Sequence, residues 1–160
     1  MTTTHISPSA AVRARLNHPV LDSDGHTVEY VPAFLDYLQQ VGGAKILERF
    51  GAAWEEASWN DWYKMSWAER RDRRATRSIW WGLPTKNTLD RATATLPKLL
   101  NERMEEIGLD FTILYPSVGL FFARMKDEEL RRACCRAVNV FNADVYREYA
   151  ARVRLDHLSH

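Results

Sequence analysis

Apolar positions along the chain fall into blocks of two periods, and the blocks alternate. In "HPVLDSDGHTVEY", residues 18 to 30, a short apolar run is followed by Asp22, Ser23, Asp24, Gly25 and His26 and then by Glu29. Val20 to Val28 reads as one extended segment that ends in polar side chains. Pro32 with Phe34, Leu35, Leu38 and Val41 predicts a helix with proline in its first turn. Ile46, Leu47, Phe50, Ala53 and Trp54 resume the helical stripe, which predicts two helices joined at Gly42 and Gly43. Ser66 and Glu69 have the capping-box spacing, so a third helix is predicted to start there with "RRDRRATR" as its body.

A further helical stripe, Leu96, Leu99, Leu100, Met104 and Ile107, is divided at Pro97 and ends at Gly108, a residue suited to helix C-termini. "LDFTILYPS" is short, β-rich and apolar on both faces, the pattern of a parallel strand buried between helix layers, and Pro116 ends it. From Asp127, apolar residues recur at spacings of three and four through Tyr149, which predicts one long helix. The order is strand, long helical insert, helix, strand, helix, the beginning of a strand-crossover-strand arrangement.

Composition bounds the function without choosing it. With 160 residues, 46% hydrophobic and 27% charged, the chain is long enough for one ordinary globular domain. A net charge of +1 gives no overall field to attract nucleic acid or an anionic membrane, and no apolar stretch approaches the roughly 20 residues of a membrane span. Cys134 and Cys135 are adjacent in a helical segment and offer no disulfide framework, which points to a reducing, cytoplasmic setting. Residues 1 to 17 carry no acid and read as a flexible tail, and the "LDHLSH" end with His157 and His160 reads as a terminus.

The candidate chemistry lies in the first block. On a strand with period-two alternation, Asp22, Asp24 and His26 would share one face and converge on one point. Carboxylate and imidazole are donors suited to a divalent ion, which lowers the pKa of bound water toward about 7. The same spacing is also that of an acidic turn with a surface histidine. Trp54, Trp59, Trp62, Trp67, Trp80 and Trp81 all fall in the helical insert with Arg70, Arg71, Arg73, Arg74 and Arg77. Trp80 and Trp81 could wall an aromatic or conjugated acid and Arg73 and Arg74 clamp its carboxylate. Equally, the tryptophans could pack a helical subdomain and the arginines form a solvated face.

"HPVLDSDGHTVEY" resembles the opening strand of the amidohydrolase-related group that includes aminocarboxymuconate-semialdehyde decarboxylase, in which a residue-x-His pair binds metal. Residues 80 to 120, "WWGLPTKNTLDRATATLPKLLNERMEEIGLDFTILYPSVGL", and the following "ELRRACCRAVNVFNADVYREYAARVRL" are similar to the stretch around the second barrel strand of those proteins. The resemblance covers about residues 18 to 155. It implies an α/β fold, an incomplete (β/α)8 TIM barrel of the first strands with a large helical insertion at about 31–107, helix-dominated in this chain. It also implies a divalent metal, zinc or else manganese or iron, on Asp24 and His26, with Asp22 supporting from behind. Where the family usually has His-x-His, this sequence has Asp24-x-His26, which adds negative charge to the donor set.

A barrel of this type runs to about 250 residues, and the family's other ligands lie on later strands. Residues 18–160 therefore read as the N-terminal part of a metal-dependent hydrolase or non-oxidative decarboxylase acting on a small molecule, inactive alone. A homo-oligomer or a full-length partner subunit is a possible assembly, with neither nucleic acid nor membrane as partner. The alternative is a small helical interaction or nucleic-acid-binding protein that uses the Arg70–Arg77 helix.

Overall fold

The computed structural model describes residues 6–56, 64–74, 88–123 and 125–158. Helix α1 (Pro8–Arg13) begins at Ser7, whose hydroxyl accepts the Ala10 amide at 3.0 Å, with proline in the first turn. Arg13 forms a fork with the Asp110 carboxylate at 2.5 and 3.0 Å, which fastens α1 beside the start of the second strand. Much of the segment expected to be a flexible tail is therefore a docked helix. Its acid partner lies 97 residues away, beyond the reach of local pattern.

Strand β1 (Leu21–Thr27) leads through a short turn into α2 (Val31–Glu56). The expected break in α2 occurs at Gly43, with φ 75° and ψ 179°, a backbone region that favours glycine. The two halves bury Phe34, Leu38, Ile46 and Phe50 at four-residue steps. Helix α3 (Trp67–Asp72) has both halves of the capping box, Ser66 with Glu69. It is shorter than the arginine run suggests: Arg73 caps it and Arg74 turns into the left-handed region at φ 47°. Helices α4 (Thr88–Thr95) and α5 (Pro97–Ile107) divide at Pro97 as expected, and α5 ends on left-handed Gly108, φ 86°.

Strand β2 (Phe111–Pro116) is followed by the short α6 (Gly119–Phe122) and by α7 (Glu128–Val145), capped by Asp127. The long helix is thus shorter than its apolar stripe, which continues into a 3-10 turn at Arg147–Tyr149. A third strand, β3 (Val153–Leu155), was not expected, because three residues with a central arginine carry almost no alternation signal. The Thr112 amide donating to the Arg152 carbonyl and the Asp156 amide to the Leu114 carbonyl tie it to β2.

The strands form one parallel sheet in the order β1-β2-β3. This overturns the expectation of a TIM barrel: among the described residues three short strands make an open sheet, whereas a barrel needs enough tilted strands for the sheet to close on itself. Nor is β2 buried on both faces. Thr112, Leu114 and Pro116 are buried, while Phe111, Ile113 and Tyr115 on the opposite face are only half-buried.

The covered face packs Leu114 and Val153 with Met104 of α5 and Tyr146 at the end of α7. A second core joins α2, α6 and α7 around Phe34, Leu38, Phe50, Phe122 and Val138. Phe34 stacks on Phe122 with ring centroids 4.8 Å apart and meets Phe50 edge-on at 5.6 Å. Trp54 extends the cluster by stacking on Phe50, so this tryptophan belongs to the packing. No described helix is long and apolar enough to cross a membrane.

Candidate functional site

Asp22, Asp24 and His26 all lie on β1, but a bulge sorts them. Asp22 is opposite Thr112 and Gly25 opposite Leu114, which leaves Ser23 and Asp24 together against the single residue Ile113. One extra residue resets the alternation. A Cβ on Gly25 would stand 2.7 Å from Leu114 Cδ2 and Thr112 Oγ1 and 2.9 Å from Asp22 Oδ2, so Gly25 faces the covered side together with Asp22. His26 follows Gly25 and stands opposite Tyr115 in the register, on the half-buried side of β2. The three-residue alignment expected from simple alternation is interrupted by the bulge, which sets Asp22 on the covered face with Gly25. Asp22 instead accepts the Asp24 amide at 3.0 Å and the Thr112 hydroxyl at 3.4 Å, bonds that hold the bulge.

Asp24 is exposed and His26 half-buried. The His26 ring lies 6.1 Å from the Tyr115 ring, tilted by 46°, and its Nδ1 is 3.3 Å from the Ser117 hydroxyl. Ser117, 1% exposed, follows the end of β2. Its amide donates to the Thr27 carbonyl at 3.0 Å and to Glu29 Oε2 at 3.1 Å. Glu29 Oε2 also accepts the Val118 amide at 2.9 Å, and Oε1 the Gly119 amide at 3.1 Å. One buried carboxylate thus stitches the end of β1 to the turn after β2. Gly119 permits the approach, since a Cβ there would lie 3.1 Å from Glu29 Oε1 and 2.8 Å from Pro116 Cβ. Burial pushes the Glu29 pKa above the usual carboxylate range, and the three amide donors pull it back in part.

Beneath the same edge the Thr27 hydroxyl meets the Tyr146 hydroxyl at 2.7 Å and donates to the Ala94 carbonyl at 3.2 Å. Burial raises the Tyr146 pKa to about 12, so this hydroxyl stays protonated at neutral pH. Sequence reasoning missed Ser117 and assigned Glu29 no role. The available signals were an acid directly after an apolar strand and a Pro-Ser-x-Gly turn at the end of the next one.

The other expected residues stand elsewhere. A cavity of about 310 Å³ beside β1 is lined by Asp22, His26, Asp90, Thr93, Arg103 and Leu114 among others, and neither Arg73 nor Arg74 lines it. Arg73 and Arg74 are exposed at the end of α3, and Trp80 and Trp81 lie outside the described residues. On α3 the Arg71 guanidinium sits 5.4 Å from the ring centre of Trp67, a cation–π pair one helical turn apart. Arg103 in the cavity wall is engaged by Asp90 at 3.0 Å, Glu106 at 2.8 Å and Thr93 at 2.6 Å. Cys134 and Cys135 are buried and free, and burial drives the Cys134 thiol up to about 12, which keeps it out of thiolate chemistry.

In donor chemistry Asp24 and His26 suit a borderline or hard divalent ion. They are two side chains. Among the described residues no group of three or more His, Cys, Asp or Glu gathers in a way that could hold a metal. Comparison of the chain with protein families, with curated proteins and with solved structures found no match.

Proposed function

We propose that the chain carries the opening portion of a metal-dependent, amidohydrolase-like site, for hydrolysis or non-oxidative decarboxylation of a small acid. The reading is supported by one observation: the register shift in β1 sets Asp22 and Gly25 on the covered face and leaves His26 opposite Tyr115, near the carboxyl end of a parallel sheet, with the exposed Asp24 two residues before it. Ligands of open parallel sheets collect beyond the carboxyl ends of the strands. Asp24 and His26 would hold a divalent cation, zinc or alternatively manganese or iron, which when bound supplies Lewis acidity. Asp24 would contribute the negative charge and His26 a ring nitrogen, while Asp22 would act from behind by holding the bulge. Two donors make a partial site, so the isolated chain is expected to bind metal weakly and to lack turnover. We place the protein in the cytoplasm, a reading supported by its two unpaired, buried thiols.

The test is calorimetric titration with Zn(II). Wild type should bind, His26→Ala and Asp24→Ala should each lose at least about tenfold in affinity, and Asp22→Ala should lose less. Equal affinity in wild type and His26→Ala would remove the site.

A further inference from the structure

We propose that α3 and the turn after it form a contact surface for single-stranded nucleic acid, with Trp67 as a stacking platform and Arg71, Arg73 and Arg74 as phosphate contacts. The surface shares no residue with the metal reading above and does not rest on it. Trp67 is 70% exposed, although a side chain of this size is on average largely buried. The Arg71 guanidinium lies 5.4 Å from its ring centre, one turn further along the helix. Arg73 caps α3 and Arg74, at φ 47°, turns the chain away, and both residues are exposed.

The local charge is strongly positive. Residues 64–74 hold five basic side chains, Lys64, Arg70, Arg71, Arg73 and Arg74, against Glu69 and Asp72. Glu69 accepts from the Ser66 amide and hydroxyl in the capping box, so its charge is held against the helix start. The net charge of +1 for the whole chain therefore conceals a basic patch. A polyanion meets the patch, since exposed charges more than about 10 Å away are largely screened at ordinary ionic strength. A guanidinium stacked on an indole keeps its N–H groups in plane for a phosphate, and an exposed aromatic face beside arginines suits an unpaired base. The composition of α3 favours nucleic acid over a membrane surface. Between Trp67 and Arg74 the only other apolar side chain is Ala68, whereas a helix that lies in a membrane interface needs an apolar face.

The experiment is a fluorescence-anisotropy titration of labelled oligo(U) and oligo(dT), about 12 nucleotides long, with the full chain at several salt concentrations. At least one of them should bind wild type, with log affinity falling against log salt at a slope of about −2, as three phosphate contacts on a single strand require. The tighter of the two identifies the sugar. Arg73→Ala with Arg74→Ala should bring the slope to about −0.7, and Arg73→Lys with Arg74→Lys should keep most of it. Trp67→Ala should weaken binding by about tenfold with the slope unchanged, because stacking releases no counterion. Arg15→Ala, at an exposed arginine outside α3, should change neither quantity. If an alanine variant does not fold, the wild-type slope and the lysine pair decide. No binding of either oligonucleotide at about 50 mM salt overturns the proposal. So does an equal loss in Arg15→Ala, or a duplex of the same length that binds as tightly and is indifferent to Trp67→Ala. Binding to vesicles of phosphatidylserine and phosphatidylcholine, with none to the oligonucleotides, also overturns it and assigns the patch to a membrane surface.

Discussion

The core between α2, α6 and α7 and the carboxyl edge of the sheet bury side chains on opposite terms. The helical core is aromatic and aliphatic, with Phe34, Phe50 and Phe122 in mutual ring contact and Leu38 and Val138 fully buried. Its cohesion comes from apolar area removed from water and from close packing. The carboxyl edge buries Thr27, Glu29 and Ser117, and each of these has hydrogen-bond partners. Hydrogen bonds there contribute little net stability when made and cost much when broken. The difference shows where the molecule tolerates buried polar groups: at the ends of β1 and β2, beside His26, inside a frame of satisfied bonds.

That contrast can be broken by substitution. Phe34→Ala should be the most damaging change, about 3–5 kcal/mol by urea unfolding, because it leaves a cavity against two other rings. A loss below about 1 kcal/mol, the scale of a minor core trim, would show that the helical core is not the closed unit described. Glu29→Ala should cost about 3 kcal/mol, the upper range for leaving buried donors unmet.

Glu29 also provides a pH test. Burial raises its folded-state pKa above the unfolded value, so the fold favours the protonated form. That contribution is complete below about pH 4.3, the ordinary glutamate value, and is lost as the pH rises through the folded pKa. The stability of wild type relative to Glu29→Gln should therefore fall with rising pH. A relative stability that climbs instead would mean the amide donors outweigh burial.

Thr27→Val should cost about 1–2 kcal/mol, since the buried Tyr146 hydroxyl would lose its partner. Arg13→Ala should have a smaller effect that depends on pH. The Arg13 guanidinium, followed by the Val20 amide, holds the Asp110 pKa below its usual range. The stability from that pair is present above the unfolded aspartate pKa and lost as pH falls through the folded one, so the gap between wild type and Arg13→Ala should close in acid. Acid titrations of both proteins read it directly, and a gap that stays constant would show that the pair is not coupled to folding.

Much of the local structure was legible in the sequence because its causes are local. The Ser66–Glu69 capping box, the division at Pro97, the left-handed end at Gly108 and the break at Gly43 each follow from the backbone preferences or short-range bonds of the residues themselves. The strand around Asp24 and His26 was legible for the same reason. The bulge was not, because it is defined by a register against β2, some 90 residues later, and it alone decides that Asp22 faces away.

The same division holds for the whole protein. Periodicity, caps and glycine positions determined which segments are helix or strand, since a turn of helix or a pleat is fixed by neighbours in the chain. Tertiary structure decided that the sheet is open with three strands in the described residues, that α1 docks through Arg13 on Asp110, and that Glu29 reaches the Ser117 turn. Those outcomes depend on groups brought together across roughly ninety residues of chain, where contact is set by packing and satisfied hydrogen bonds, and no local pattern records them.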